Sequence, residues 1–270
     1  MTSALVGLIA GSGALPGLLA RACREAGDRT FVVGLTGSAD AAQFDDPPDV
    51  WSSLGEPTLI FSALHETGVT DVIMAGGVRR PDLSTFRPDF RAAAFLTRVA
   101  IRAMGDDTLM RALAREIETE GFRIVGIKDV APTLLAPLGP IGRYPLPSSL
   151  GLDAGLGLRA ARDLGRADLG QAVVVADGKI IDRESKDGTD ALIARVERRH
   201  HEAPAILVKC RKPQQDDRFD LPAIGPDTVI ACGRARIAGI VVEHGQTVVI
   251  DRGSVAVAAD AAEMFVVGAA

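Results

Sequence analysis

The chain has 270 residues, 47% of them hydrophobic and 24% charged, which is long enough for two ordinary domains and excludes a disordered, collagenous or low-complexity protein. Its net charge of -5 and pI of about 5.4 argue against a general polyanion binder, so any phosphate site must be local. Aromatic residues make up 4%, too few for a platform that stacks bases on rings, and no nucleic-acid partner is expected.

Over the first 130 residues apolar strand-like runs alternate with amphipathic stretches, the pattern of helices packed on a parallel sheet. Strands are predicted at 5–10, 30–35, 71–75 and 123–127. Helices are predicted at 16–26, 59–66, 88–104 and 108–120, with Gly27, Gly68 and Gly121 as C-terminal stops. The stretch 131–149, APTLLAPLGPIGRYPLPSS, holds five prolines and two glycines and reads as a linker, because proline removes ladder and helix donors. Beyond it come a helix at 152–164, strands at 171–175 and 179–181 about an Asp177-Gly178 turn, a helix at 190–200 and a strand at 205–208. The last forty residues add strands at 237–242 and 247–250 about His244-Gly245. The expected fold is therefore α/β: a Rossmann-like parallel sheet over 1–130, a Pro-rich linker over 131–150, and a smaller mixed-sheet α/β domain over 151–270.

Cys23, Cys210 and Cys232 are odd in number and lack CxxC spacing, as expected in a reducing compartment, and neither a disulfide framework nor a zinc site is expected. The N-terminus MTSALVGLIAG has no basic n-region, and no apolar run reaches the ~18 to 20 residues that span a bilayer. A cytosolic protein is expected, which leaves contact with a membrane surface open.

Gly11-Ser12-Gly13-Ala14-Leu15-Pro16 follows the first strand and opens a helix. A glycine turn there presents backbone N–H groups and a positive dipole end, a natural anion or nucleotide site, although a tight turn would also need small residues. The run lacks the third glycine of GxGxxG and the GK[ST] of a P-loop, and the second strand ends at Gly34-Leu35-Thr36-Gly37 without a ribose-binding acid, so a nicotinamide cofactor is disfavoured. Between Arg79 and Arg115 stand eight arginines against four acids. On a helix from Pro88, Arg91, Arg98 and Arg102 fall within about 40° of one another. That ridge reads either as a phosphate or anionic-lipid surface or as a solvated face opposite Ala92, Phe95, Val99 and Ala103.

Two acidic clusters mark the C-terminal half. In Glu184-Ser-Lys-Asp187-Gly188-Thr189-Asp190, carboxylates placed after a strand suit a hard cation, but Asp187 at N-cap with Asp190 at N3 would explain the spacing without chemistry. In Lys212-Pro-Gln-Gln-Asp216-Asp217-Arg218-Phe-Asp220-Leu-Pro222, three aspartates crowd an irregular segment and repel one another unless a cation, a phosphate-bound metal or the neighbouring Lys209, Lys212 and Arg218 compensate them. His65, His200, His201 and His244 do not form the DxH and HD clusters of dinuclear phosphoesterases. The run from Arg115 to Gly121 is too short for a Nudix box, and no GxSxG elbow occurs.

These segments in order resemble the UDP-2,3-diacylglucosamine pyrophosphatases of the LpxI type. The resemblance rests on Gly7-Leu-Ile-Ala-Gly11-Ser-Gly-Ala-Leu-Pro16, Gly105-Asp-Asp-Thr-Leu109, Gly170-Gln171-Ala-Val-Val-Val175, Glu184 with Asp187-Gly-Thr-Asp190, and Lys212-Pro-x-Gln-Asp216-x-Arg218-x-Asp220-x-Pro222 with Gly225. One departure is Asp187, where the family motif reads Glu-Gly-Thr-Asp. The resemblance implies a Mg²⁺-dependent hydrolase, cytoplasmic and peripheral to the inner membrane, that cleaves UDP-2,3-diacylglucosamine to UMP and 2,3-diacylglucosamine 1-phosphate with the substrate between its two domains. On the matched motifs the expected substrate contacts are Gly11, Ser12, Gly13, Ala14, Thr189 and Lys212, and the expected metal ligands are Glu184, Asp190, Asp216 and Asp220. Asp220 is the expected catalytic carboxylate, as the aspartate least explicable by capping or packing. Another sugar-nucleotide hydrolase, or a non-catalytic nucleotide- or lipid-binding protein, stays open as an alternative, as does a homodimer. A mere binder of a pyrophosphate would have no use for collected aspartates unless a cation is recruited.

Overall fold

The computed structural model describes residues 4–79, 88–98, 106–199, 201 and 203–270. The chain divides into two units, Met1–Ala131 and Pro132–Ala270.

In the first unit five strands, β1 (Leu5–Ala10), β2 (Arg29–Leu35), β3 (Val50–Ser52), β4 (Asp71–Ala75) and β5 (Arg123–Ile124), form one parallel sheet in the order β3-β2-β1-β4-β5. Strand β1 is apolar and buried along almost its whole length, as a central parallel strand covered on both faces requires. The helices are α1 (Leu15–Glu25), α2 (Pro57–Glu66), α3 (Phe90–Arg98), α4 (Asp106–Thr119) and the single turn α5 (Ile127–Val130). Gly27, Gly68 and Gly121 all lie at positive φ just past their helices, the conformation a residue with Cβ resists. The strand expected to run to 127 stops early: after Ile124 the chain turns into α5, whose Asp129 accepts the Gly126 N–H at 2.8 Å.

In the second unit β6 (Gly139–Pro140), β7 (Ala172–Ala176), β8 (Lys179–Arg183), β9 (Ala205–Lys209), β11 (Ile237–Glu243) and β13 (Phe265–Ala269) form a mixed sheet in the order β6-β13-β11-β9-β7-β8. A separate parallel pair joins β10 (Ala223–Ile224) to β12 (Val248–Val249). The helices are α6 (Gly151–Arg166), α7 (Gly188–Glu197), α8 (Pro226–Arg234) and α9 (Arg252–Ala261). Side-chain alternation along the strands builds two cores. Val174, Leu207, Ile240 and Val266 face one that includes Leu192, Val229 and Val255 of α7, α8 and α9; Val175, Ile206, Val241 and Phe265 face the other, packed on Ala154, Leu158 and Ala161 of α6.

The segment read as a linker is instead built into this second unit. Leu135 bridges Val248, Ala136 donates to Thr247 O at 2.8 Å, β6 pairs antiparallel with β13, and Ile141 donates to Val266 O at 2.7 Å. Ala136 and Ile141 are core residues. Proline excludes a central strand but not an edge, and β6 is the edge.

Candidate active site

In the first unit the glycine turn lies where the strand order reverses between β1 and β4, the point at which open α/β sheets bind ligands. The two strand ends are zipped together there. Gly11 donates to Ala75 O at 2.8 Å, Ser12 to Gly77 O at 2.7 Å and Gly77 to Ser12 O at 2.9 Å, and the Ser12 hydroxyl also donates to Gly77 O at 3.1 Å. A Cβ on Gly11 would stand 2.3 Å from Gly77 O, so glycine is required by this approach of backbone to backbone. The N–H groups of Gly11 and Ser12, expected to face a ligand, are therefore committed to the β4 turn. With its amide turned to satisfy both ends, Gln43 accepts from Gly13 N at 3.2 Å and donates to Gly13 O at 2.9 Å. What remains open toward a ligand is Ala14 and the first turn of α1, which has Pro16 near its start and no side-chain cap. Gly13 itself lies at φ 91°, and a Cβ added there would meet nothing within 4 Å.

Of the basic ridge, Arg91 ion-pairs with Glu120 and lies over the Phe61 ring at 5.9 Å, which ties α3 to its neighbours. Arg102 and the side chain of Arg98 lie outside the described residues.

In the second unit the topology gathers the acidic segments at one edge of the sheet. Strand β7 runs antiparallel to both β8 and β9, so the C-terminal ends of β8 and β9 come out beside the start of β7. Glu184 donates its N–H to Ala172 O at 2.8 Å and Cys210 to Gln171 O at 2.9 Å. Gly170 lets Glu184 close in: a Cβ there would meet the Glu184 carbonyl oxygen at 2.8 Å.

Glu184 is buried, and its Oε2 accepts from the Thr189 hydroxyl at 3.1 Å. Asp187 precedes α7 without capping it. Its side chain accepts from Ser185 Oγ at 3.2 Å, so the capping reading of this cluster does not hold. Lys209, the last residue of the apolar strand β9, is 7% exposed, and its Nζ donates to Ala223 O at 2.9 Å. Burial pushes the Lys209 pKa below the usual lysine value, while the charges of Glu184, Asp190 and Asp220 pull it back up.

Of the expected metal ligands, Glu184, Asp190 and Asp220 share the surroundings of Lys209, while Asp216 is engaged by Arg218. Asp216 is held in the fork of Arg218, at 3.0 Å from Nε and 2.8 Å from the terminal nitrogen, and its carbonyl accepts from Phe219 N at 3.0 Å and Asp220 N at 3.1 Å. Asp216 thus shapes the turn that presents Asp220, and its carboxylate is paired with Arg218. Asp220 is exposed and its Oδ2 accepts from Gln215 Nε2. Lys212 pairs with Asp168 at 3.0 Å, and this pairing holds the Asp168 carboxyl below the usual range. Sequence reasoning gave Gln215 no role and named Lys209 only as one of three basic residues that could compensate the aspartates. The available signal was a lysine closing the apolar run AILVK, since a lysine on a buried strand needs acidic or carbonyl partners.

Among the described residues no three His, Cys, Asp or Glu side chains converge to hold a metal by themselves. The donor chemistry still suits a hard cation. Glu184, Asp190 and Asp220 share the surroundings of one ammonium, which leaves two formal negative charges, and the buried oxygens Gln171 Oε1 and Gln215 Oε1 have no hydrogen-bond partner. The three cysteines are free and buried; burial pushes Cys23 up to about 11 and Cys210 and Cys232 up to about 12, which leaves no thiolate nucleophile.

Residues 5–134 match the LpxI N-terminal domain and residues 139–267 the LpxI C-terminal domain. The chain is also similar to the UDP-2,3-diacylglucosamine pyrophosphatase LpxI of Caulobacter vibrioides, with 40% identity over 272 residues that cover 97% of this chain and 96% of that protein.

Proposed function

The chain belongs to the LpxI family, and from that membership we propose that it hydrolyses the pyrophosphate of UDP-2,3-diacylglucosamine to UMP and 2,3-diacylglucosamine 1-phosphate, a step of lipid A biosynthesis. The observation that carries this reading is the end-to-end similarity to a protein named for that activity, and the exposed Asp220 at the acidic edge of the second unit supports it.

Hydrolysis of the anhydride joins a water oxygen to phosphorus and breaks the bridging P–O bond, with the charge that develops spread over the phosphate oxygens. Asp220 meets solvent, as Asp190 does, and the orientation of Asp220 is set by Gln215 and by the turn on the Asp216 carbonyl. In this reading Asp220 accepts the proton of an attacking water, a contribution typically worth about 10² to 10⁴ in rate. Mg²⁺ would be held by Asp220 with Asp190 or Glu184 and by the substrate's own phosphate oxygens, and would supply neutralisation of charge on the leaving and non-bridging oxygens. Thr189, through Glu184, fixes the inner carboxylate of the group. Ala14 and the start of α1 offer an anion site for a phosphate or the uracil edge in the first unit.

The proposal includes work at the cytoplasmic face of the inner membrane, because the substrate carries two acyl chains. Among the described residues no helix is long and apolar enough to cross a membrane, in keeping with attachment from one side. The test is UMP release from UDP-2,3-diacylglucosamine in detergent, with and without Mg²⁺. Mg²⁺-dependent release is expected. Failure of the purified protein to release UMP under either condition overturns the reading, and release unaffected by chelation overturns its metal component.

A further inference from the structure

Lys209 stands in a place that neither packing nor the expected motif explains. It ends a strand whose preceding four residues, Ala205, Ile206, Leu207 and Val208, are fully buried, and it is itself almost fully enclosed. A buried ammonium is costly unless it is paired and hydrogen-bonded. Its partners define its purpose. The loop that carries Asp216 and Asp220 begins directly after Lys209 and ends directly before Ala223, and the Lys209 ammonium donates to the Ala223 carbonyl at 2.9 Å. One side chain therefore joins the two ends of the acidic loop. The same ammonium lies in the field of Glu184 from the end of β8, Asp190 from the first turn of α7 and Asp220 from the loop itself. Three separate chain segments thus bring a carboxylate toward one fixed cation.

We propose that Lys209 is a positioning residue of this site: its ammonium clasps the ends of the 210–222 loop through the Ala223 carbonyl and sets a positive charge beside Glu184, Asp190 and Asp220. Without it, the loop loses both the hydrogen bond that joins its ends and the positive charge facing Asp220, and Asp220 leaves the turn that aims it. The proposal rests on the hydrolase reading only for the reaction in which its kinetic effect is seen; the clasp is a property of the ligand-free chain.

Lys209→Met, Lys209→Gln and Lys209→Arg separate the roles, each measured by amide exchange of Phe219 and Asp220 in ligand-free protein and by steady-state UMP release. In Lys209→Met those two amides, which donate to the Asp216 carbonyl, are expected to exchange at least about tenfold faster than in the wild type. Its kcat is expected to fall about 10²-fold, the cost of misplacing a catalytic group by about 1 Å, with KM within a few-fold. Lys209→Arg keeps charge and donors and is expected to restore protection and most of kcat. Lys209→Gln keeps a donor without the charge and is expected to resemble the Met variant. Wild-type protection and kcat in a folded Met or Gln variant overturn the proposal, as does an Arg variant no better than Gln. Should the Met variant fail to fold, the comparison of Arg with Gln decides. If the wild type releases no UMP, the hydrolase reading falls, while the exchange arm still decides the clasp.

Discussion

Asp216 and Asp220 share one loop and one charge yet sit in opposite roles, and the difference lies in what each carboxylate touches. The Arg218 fork satisfies Asp216 in a planar two-point pair, which fixes its geometry. Asp220 keeps a solvent-facing side while Gln215 orients it. Asp220→Ala is therefore expected to lower kcat by about 10² to 10⁴ with little change in thermal stability. Asp216→Asn, which weakens the fork, is expected to lower kcat less and to destabilise the loop. Steady-state UMP release with thermal unfolding checks both, and an Asp220→Ala protein that keeps more than about a tenth of wild-type kcat rules out the assignment. A second carboxylate, Asp182 on β8, gives a pH signature of its own. Burial raises the Asp182 pKa, but the Arg195 hydrogen bond, the Arg183 N–H and the charges of Arg195 and Arg199 outweigh it and hold the carboxyl below the usual value. A depressed folded-state pKa adds stability that is present above the unfolded value of about 3.9 and is lost as pH falls through the folded one. Asp182→Asn is expected to cost about 1 to 3 kcal/mol at pH 7. That gap should begin to close below about pH 4 and shrink further as pH falls through the folded value; urea unfolding at pH 7 and pH 3 shows whether it narrows. The aspartates were legible as candidates in the sequence because an irregular acidic segment has no bland explanation. Which of them Arg218 would claim was not, because the pairing depends on the turn at Phe219 and Asp220.

At the scale of elements, glycine shows how much local grammar the chain carries. Gly27, Gly68 and Gly121 were readable as helix stops because the left-handed residue past a helix is a local, nearly glycine-specific demand. The helices α8 and α9 and the strand β13 were not read. The α9 run, Gly-Ser-Val-Ala-Val-Ala-Ala, alternates small and β-branched residues and resembles a strand; its helix is fixed by Asp251, which accepts from Ser254 N at 3.0 Å, and by core burial of Val255 and Ala259. Helix α6 offers a paired test. Its Gly157 faces the sheet, where a Cβ would fall 2.4 Å from Val208 Cγ2, whereas Gly155 would meet only the end of Arg159 at 3.6 Å. Alanine gains about 1 kcal/mol of helix propensity at either place. At Gly157 the overlap, typically about 1 to 3 kcal/mol, exceeds that gain. Gly155→Ala is thus expected to raise Tm and Gly157→Ala to lower it, and a shift of the same sign in both would show that α6 does not rest on β9 at Val208.

For the whole chain, the boundary between units falls at Ala131 and Pro132, and the Pro-rich segment after it belongs to the second unit. Five prolines concealed this, because local propensity speaks against a strand, while an edge strand of two residues needs only a few donors from its partner. The segment covers β13 on one side and the β12 region on the other: Ile141 donates to Val266 O, Ala136 to Thr247 O and Gly245 to Ala136 O, and Arg252 closes on the carbonyls of Thr133 and Leu135 at 2.7 and 2.6 Å. A fragment of residues 132–270 keeps both cores of the second unit and is expected to unfold cooperatively. A fragment of residues 151–270 loses the buried side chains of Leu135, Ala136 and Ile141. Removal of one buried Leu or Ile side chain costs about 2 to 5 kcal/mol. It also strips partners from the carbonyls of Thr247 and Val266 and from the edge of β13. Against a total domain stability of about 5 to 15 kcal/mol, that loss consumes about half or more. Urea titration of the two fragments by circular dichroism is the measurement: a much lower midpoint or no transition is expected for 151–270, and equal midpoints would mean that residues 132–150 act as a tether after all and add nothing to the core they touch.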